Sequence, residues 1–404
     1  MIINFEQEFS LLALLLLVDF LWLLLSRKFH FPDYIAHILT GLCLGLISSK
    51  FQLTKGVSNL NTIVDFQDIF TFLTYLGVFF FYFEFGYRTL PKTYQVFLSF
   101  NWQDILVFFI SVSLLFSLSA PLVSIEKVRL VTLVFLPISF LACDFAAFAV
   151  QPKFNHNDSH QYLEFIKMTL ALEIVALIYF GLFDFIFFLE LQKVNLRLII
   201  VFCIGLMLFW LIAFSRLRLH FIDSMQKWPI FLLIIGILLA ILSFLIHFKI
   251  SIIIVGAICG FLLNMVLKNN RIFSQSIPFT VTRFFIIFPM IAVGSLLSQK
   301  LYLLQLLLNF LIILFILIIS AFLLLILRIR RRKKTEWSVL EMMHRGEFSL
   351  LMLLWGYLNN LVSAELIAGV VLLSILVLVF ARFKKLMYFF NLISFLEIPE
   401  NRKS

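Results

Sequence analysis

The sequence predicts an all-α polytopic membrane protein with about thirteen transmembrane helices. The first observation is composition, since 63% of the 404 residues are hydrophobic and 13% are charged. Soluble domains carry about twice that charged share. The second observation is that apolar runs of about twenty residues, long enough to cross a bilayer as helices, recur along the chain. Lipid favours helices because every backbone polar group must find an internal partner there.

The predicted spans follow one another with short loops between them. Their approximate limits are 10–26, 33–50, 68–90, 103–123, 128–151, 162–189, 193–215, 229–247, 250–267, 279–298, 301–327, 336–360 and 363–382. Spans two to six and nine to thirteen form five-helix blocks of opposite orientation. This arrangement predicts two inverted five-helix repeats, a plan common in secondary transporters.

The basic residues indicate the orientation of the chain. With thirteen spans and the N-terminus outside, 23 Lys and Arg residues fall on the cytoplasmic side and 8 on the outer side, with Arg345 inside a span. The positive-inside rule predicts this orientation. The net charge of +10 is therefore explained by membrane loops, including the run RIRRRKK, which favours anionic lipid. We expect no nucleic-acid partner.

Two acids inside apolar spans are the first candidates for function. Asp144 lies in LPISFLACDFAAFAV, and Glu173 lies in FIKMTLALEIVALIYF. A charge within the bilayer is costly, so an intramembrane acid is a functional hypothesis by default. Counted outward from the loop between them, the two acids lie at similar depths, where they would enclose a cation or share a proton. Ser139 and carbonyl groups near Cys143 would supply neutral oxygen ligands, which suit hard cations.

Each of these polar residues also has a second interpretation. Glu173 could be a protonated side chain bonded to backbone, and Asp144 could neutralise the end of a broken helix. Arg345 and Glu347, in MMHRGEF, would either pair with each other or take part in ion binding. Glu84 would line a gap between helices or pair with an arginine one turn away.

Asp19, in the first span, also has two possible interpretations. It would face an internal cavity, or it would lie near the inner interface of the membrane.

Six segments of the chain occur in the order seen in a known transporter family. They are FPDYIAHILTGLCLGLIS, LTYLGVFFFYFEFGYRTL, ACDFAAFAVQ, LALEIVALIYFG, FFIIFPMIAVGSLL and HRGEFSLLML. Together they resemble the membrane domain of the monovalent cation:proton antiporter superfamily, in the branch of bacterial sodium/proton antiporters and potassium efflux systems. The resemblance implies crossed broken helices and exchange of Na⁺ or K⁺ for H⁺ by alternating access.

The same resemblance implies how the chain is divided and where it resides. We expect a transmembrane antiporter domain over 1–383, with a core of about 103–189 and 301–382 and a scaffold formed by the remainder, and a short cytoplasmic tail over 384–404. A homodimer in the bacterial inner (plasma) membrane is implied, with the C-terminus cytoplasmic. The expectation is a transporter without enzyme activity, cofactor or resident metal.

The chain departs from that family at several positions. Glu173 stands where the family has the second acid of a pair, and Leu172 stands where it has the first. Cys143 replaces the threonine before Asp144, and Ser320 lies near the place of a lysine in the eleventh span. A single carboxylate favours electroneutral exchange of one proton for one cation.

Two other classes of protein stay open at this point. A non-transporting relative, acting in membrane assembly, is favoured by the missing lysine and by Leu172. A membrane enzyme or a lipid-linked substrate carrier would have larger polar loops than this chain. The densest polar cluster is NHNDSH, where His156, Asp158 and His160 could hold a metal, although a flexible loop explains them more simply.

Overall fold

The computed structural model describes residues 5–29, 31–51, 64–88, 102–119, 135–137, 139–140, 169–181, 183, 252–267, 277–298, 302–330, 346–359 and 361–389. Every regular element in these ranges is helical, which confirms the all-α prediction for this part of the chain. The helices are α1 Phe5–Phe29, α2 Asp33–Phe51, α3 Val64–Arg88, α4 Trp102–Ser119, α5 Thr169–Gly181, α6 Ile252–Leu267, α7 Ile277–Leu297, α8 Leu303–Arg330, α9 Glu347–Leu358 and α10 Ala364–Phe389.

Two of the described helices contain a stretch long and apolar enough to cross a membrane, namely Phe70–Tyr87 in α3 and Leu303–Leu324 in α8. Shorter apolar stretches occur in α2, α4, α5, α6, α7, α9 and α10. The predicted spans 193–215 and 229–247, and most of 128–151, lie outside the described residues. The number of thirteen spans therefore stays a prediction.

Helix α9 covers the later part of the predicted span 336–360, and residues 336–345 lie outside the described residues. Gly346 has extended backbone angles, with φ −103° and ψ −151°, and the helix starts at Glu347. The first helical hydrogen bond runs from the Leu350 N–H to the Gly346 carbonyl at 3.0 Å. At the other end, the Asn359 side-chain amide donates to the Trp355 carbonyl at 2.8 Å and closes the last turn. This short helix therefore has a defined start inside the described structure.

Glycines allow two pairs of helices to cross at very short distance. At Gly86 and Gly260, a Cβ atom would fall on carbonyl oxygens of the facing helix, so α3 and α6 touch backbone to backbone. Gly41 and Gly294 have the same role where α2 crosses α7. Small residues permit such close contact, and the facing backbones gain van der Waals energy there.

The helices pack in two sets. In the first set, α7 lies against α2 and α3, α3 lies against α6, and α2 lies against α1. In the second set, α8 lies against α4 and α10, while ring contacts join α5 to α4 and α9. Helix α7 also touches α9 and α10 and so connects the two sets.

One face of α8 is apolar and exposed. The outward side chains recur every three or four residues and are Leu304, Leu307, Leu311, Phe315, Ile318 and Phe322. This spacing places them on one side of the helix. The opposite side, which includes Ile313 and Ser320, is buried. An exposed apolar surface of this length is typical of contact with lipid or another protein.

The glycine crossing of α3 and α6 gives a first prediction. Gly260→Ala is expected to destabilise the protein by about 1–3 kcal/mol, because the new Cβ would meet the Phe83 carbonyl oxygen and force the helices apart. A lower Tm of the purified protein in detergent would measure this loss. Gly181→Ala is the matched control, since its Cβ would meet only the end of the Ile254 side chain, at 3.2 Å. An unchanged Tm in Gly260→Ala would contradict the crossing.

Candidate functional site

Glu173 is the one acid of α5, a helix whose other residues are apolar except for Thr169. Its side chain is half-buried, and its neighbours Leu172, Ile174 and Val175 are buried. Leu172, the residue before this acid, is packed in the apolar core. Glu173 is therefore an acid on an apolar helix, with its side chain partly shielded from solvent.

Tyr82 connects this acid to two other helices. Its side chain is fully buried in α3, and its hydroxyl donates a hydrogen bond to the Phe348 carbonyl in α9 at 2.9 Å. The same hydroxyl lies within electrostatic range of the Glu173 carboxylate. Residues 82 and 348 are far apart in the sequence, so no local pattern indicates this contact. Tyr82 thus places α3, α5 and the start of α9 around one point.

The N-terminus of α9 favours negative charge near the Tyr82 hydroxyl and the Glu173 carboxylate. No side chain caps the helix, whose first turn contains Glu347, a half-buried acid. Free backbone N–H groups and the helix dipole make a helix N-terminus positive, which favours nearby carboxylates. Phe348, whose carbonyl accepts the Tyr82 hydrogen bond, lies in the same turn. An acid, a hydroxyl and a helix start are therefore close together in the protein interior.

Aromatic rings surround the Tyr82–Phe348 contact. The Phe348 ring packs edge-on against Tyr82 and Phe85, with centroid distances of 5.1 Å in both cases, and against Phe81 at 6.3 Å. The 52 phenylalanines of the chain would otherwise be read as lipid-facing and packing residues. Here the rings on α3 exclude water from a buried hydrogen bond, which strengthens electrostatic interactions nearby.

Ser139 is the one described member of the predicted ligand set besides Glu173. It is fully buried, and its hydroxyl donates to the Leu136 carbonyl at 2.8 Å, so its oxygen keeps lone pairs for a cation. Its segment lies against α4, since the rings of Phe140 and Phe116 are 4.8 Å apart.

The other predicted site residues are placed only in part. Asp144, Cys143 and Arg345 lie outside the described residues, so the pairing of Asp144 with Glu173 stays a prediction. Glu84 is half-buried in α3, two residues from Tyr82, and the side chain of its predicted partner is not described. Ser320 is fully buried, and its hydroxyl has no hydrogen-bond partner within the described ranges.

A second polar cluster, which the sequence did not predict, lies between α1 and α2. Asp19 is 2% exposed, shares a hydrogen bond with His37 Nδ1 at 2.8 Å and accepts one from the Thr40 hydroxyl at 3.0 Å. The structure buries Asp19 against α2, with His37 and Thr40 of that helix as its hydrogen-bond partners. The spacing of His37 and Thr40 places them on one face of a helix, a signal that could have revealed the cluster.

Comparison with known proteins adds no family assignment. No family model matches this chain, and no curated protein matches it. Functional inference therefore rests on the chemistry of the described site and on the resemblance of short segments.

The Tyr82 hydrogen bond gives a second prediction. Tyr82→Phe is expected to lower the free energy of unfolding by about 1 kcal/mol, because the ring packing is kept and one buried hydrogen bond is lost. Tyr75→Phe makes the same chemical change on the same helix, at a hydroxyl without a hydrogen bond to any described residue, and should have almost no effect. Equal losses in the two variants, measured by denaturant titration in detergent, would exclude the Tyr82 bond.

Proposed function

We propose that this chain is an integral membrane antiporter that exchanges Na⁺ or K⁺ for H⁺ across the membrane, with Glu173 as the shared binding group. The observation that carries this proposal is the placement of Glu173 on an apolar helix, beside Tyr82 and the start of α9.

The chemistry of coupling is competition for one carboxylate. Removal from water favours the protonated acid, whereas oxygen ligands around the carboxylate favour a bound cation. Proton and cation cannot occupy the same oxygens together, so one leaves when the other binds. One carboxylate carrying one proton or one monovalent cation makes the exchange electroneutral. Asp144 and Ser139 are the proposed additional ligands.

The packing of the helices supports alternating access. The set containing α4, α5, α8, α9 and α10 belongs to the proposed core, and the set containing α1, α2, α3, α6 and α7 belongs to the proposed scaffold. Glu173 and Phe348 lie in the proposed core, and Tyr82 lies in the proposed scaffold. The site is thus located where the two sets meet, and movement of one against the other would open it to each side in turn.

The proposed location is a bacterial inner membrane, with a homodimer formed through the scaffold and the C-terminus in the cytoplasm. The apolar exposed face of α8 supports contact with lipid. The remaining support for orientation and dimerisation is the distribution of basic residues and the family resemblance described above.

The exposed face of α8 yields a test of membrane insertion. Phe315 is 62% exposed near the middle of the apolar stretch, so Phe315→Arg is expected to cost about 3 kcal/mol and to lower the amount of inserted protein. Leu304→Arg, near the end of the helix, should cost less because arginine reaches the interface from there. Membrane fractionation of tagged protein measures both. If Phe315→Arg inserted as well as wild type, α8 would not face lipid at this position.

Transport itself is tested in proteoliposomes loaded with a pH-sensitive dye. We expect added Na⁺ or K⁺ to dissipate an imposed pH gradient, and Glu173→Gln to reduce the rate to that of protein-free vesicles, because glutamine cannot exchange a proton. Glu365→Gln, in the first turn of α10, is the matched control and should transport at the wild-type rate.

Two results would contradict the proposal. Equal exchange by Glu173→Gln and wild type would remove Glu173 from the mechanism. A wild-type protein that is folded and inserted, yet moves neither cation, would instead indicate the non-transporting assembly class.

A further inference from the structure

The Asp19, His37 and Thr40 cluster lies apart from Glu173, and the proposed exchange makes no use of it. His37 Nδ1 and the Thr40 hydroxyl both contact the same oxygen of Asp19, Oδ1, at 2.8 and 3.0 Å. The three residues are 2%, 7% and 0% exposed in chain order, so the cluster is almost completely removed from solvent.

The charges on the helices around this cluster are few and distant. On α1, Arg27 is 71% exposed and faces Asp33 of α2 at 3.9 Å, at the turn that joins the two helices. Lys28 is the next residue and is also exposed. On α7, the helix packed against the other side of α2, the described charged side chain is Arg283, which is exposed and about 16 Å along the helix from the crossing at Gly294.

No cation other than His37 therefore reaches Asp19 among the described side chains. With one proton beyond the ordinary imidazole N–H, the pair is neutral overall, whether the ring or the carboxyl holds that proton. Without it, the pair carries one negative charge in a site with almost no water. Burying an uncompensated charge is strongly unfavourable, and one proton on the pair removes that charge.

Thr40 has an arrangement that suits both charge states. Its hydroxyl lies 3.0 Å from Asp19 Oδ1 and 3.0 Å from the Ala36 carbonyl oxygen, and its single hydrogen can be donated to only one of them at a time. Donation to Oδ1 stabilises the ionised carboxylate. When the pair is neutral, the hydroxyl can turn to the Ala36 carbonyl without leaving a buried donor unpaired.

We propose that Asp19, His37 and Thr40 form a buried proton-binding site that holds one exchangeable proton. The reaction is the addition of one H⁺ to a neutral imidazole beside a carboxylate, which gives a neutral imidazolium–carboxylate pair, or its isomer with neutral imidazole and carboxylic acid. This site is independent of Glu173 and would exist whether or not the protein transports cations.

Nitrogen-15 histidine and carbon-13 aspartate NMR of the full-length protein in nanodiscs tests the site directly. The signals of His37, one of seven histidines, are assigned by their loss in His37→Gln, and those of Asp19 by their loss in Asp19→Asn. At about pH 6, where histidine charge is most readily changed, we expect one of the two groups in wild type to carry the added proton. In Asp19→Asn, which keeps an oxygen acceptor of the same shape, we expect a neutral His37 ring at the same pH.

Two outcomes would overturn the proposal. One is a wild-type protein with a neutral His37 ring and an ionised Asp19 at that pH, which would make the cluster a structural hydrogen bond. The other is a charged His37 in Asp19→Asn, which would show that the proton does not depend on the pair. If Asp19→Asn fails to fold, the Asp19 signals are identified by their shift in Thr40→Val, which keeps both titratable groups. The charge states of His37 and Asp19 in the wild-type protein then support or overturn the proposal.

Discussion

The hydrogen bond from the Tyr82 hydroxyl to the Phe348 carbonyl is the contact on which the proposed site depends. It joins a helix of one packed set to the first turn of α9 in the other set, and it lies within electrostatic range of Glu173. Buried polar groups must be paired, so this bond fixes the position of the helix start relative to the acid. Without it, α3 and the start of α9 would still share ring contacts, but they would lose this buried hydrogen bond.

The glycine crossings explain why Tyr82 can be positioned so firmly. Gly77 and Gly86 lie on either side of Tyr82 in α3, and they bring that helix against the backbones of α7 and α6. A helix held by backbone contact at two places has little freedom to shift or rotate. The aromatic rings between those glycines then pack in fixed positions, and the hydroxyl is directed at α9. Close packing at Gly77 and Gly86 therefore helps to hold the Tyr82 hydroxyl in position for its hydrogen bond to α9.

Much of the helical structure could be predicted from the sequence, because long apolar runs with short polar interruptions determine where helices begin and end. Helix α9 starts at Glu347, directly after the extended residue Gly346 and within the predicted span 336–360. The acid Glu173 was identifiable because a carboxylate in an apolar helix is conspicuous.

The partners of the acids were harder to predict. Tyr82 was missed because 266 residues separate it from Phe348, and a tyrosine among phenylalanines reads as packing. The burial of Asp19 was missed because its stabilising groups belong to the next helix, although their spacing on one face of α2 was visible in the sequence. Sequence patterns show where unusual side chains occur, whereas the roles of those side chains depend on contacts between residues that are distant in the sequence.

The central claim is that one carboxylate, that of Glu173, holds either a proton or an alkali cation. Isothermal titration of the purified protein with Na⁺ and K⁺, in two buffers of different ionisation enthalpy, measures cation binding and proton release together. The account predicts release of about one proton for each cation bound when the carboxyl begins protonated. Cation binding with the same heat in both buffers, and so without proton release, would contradict it.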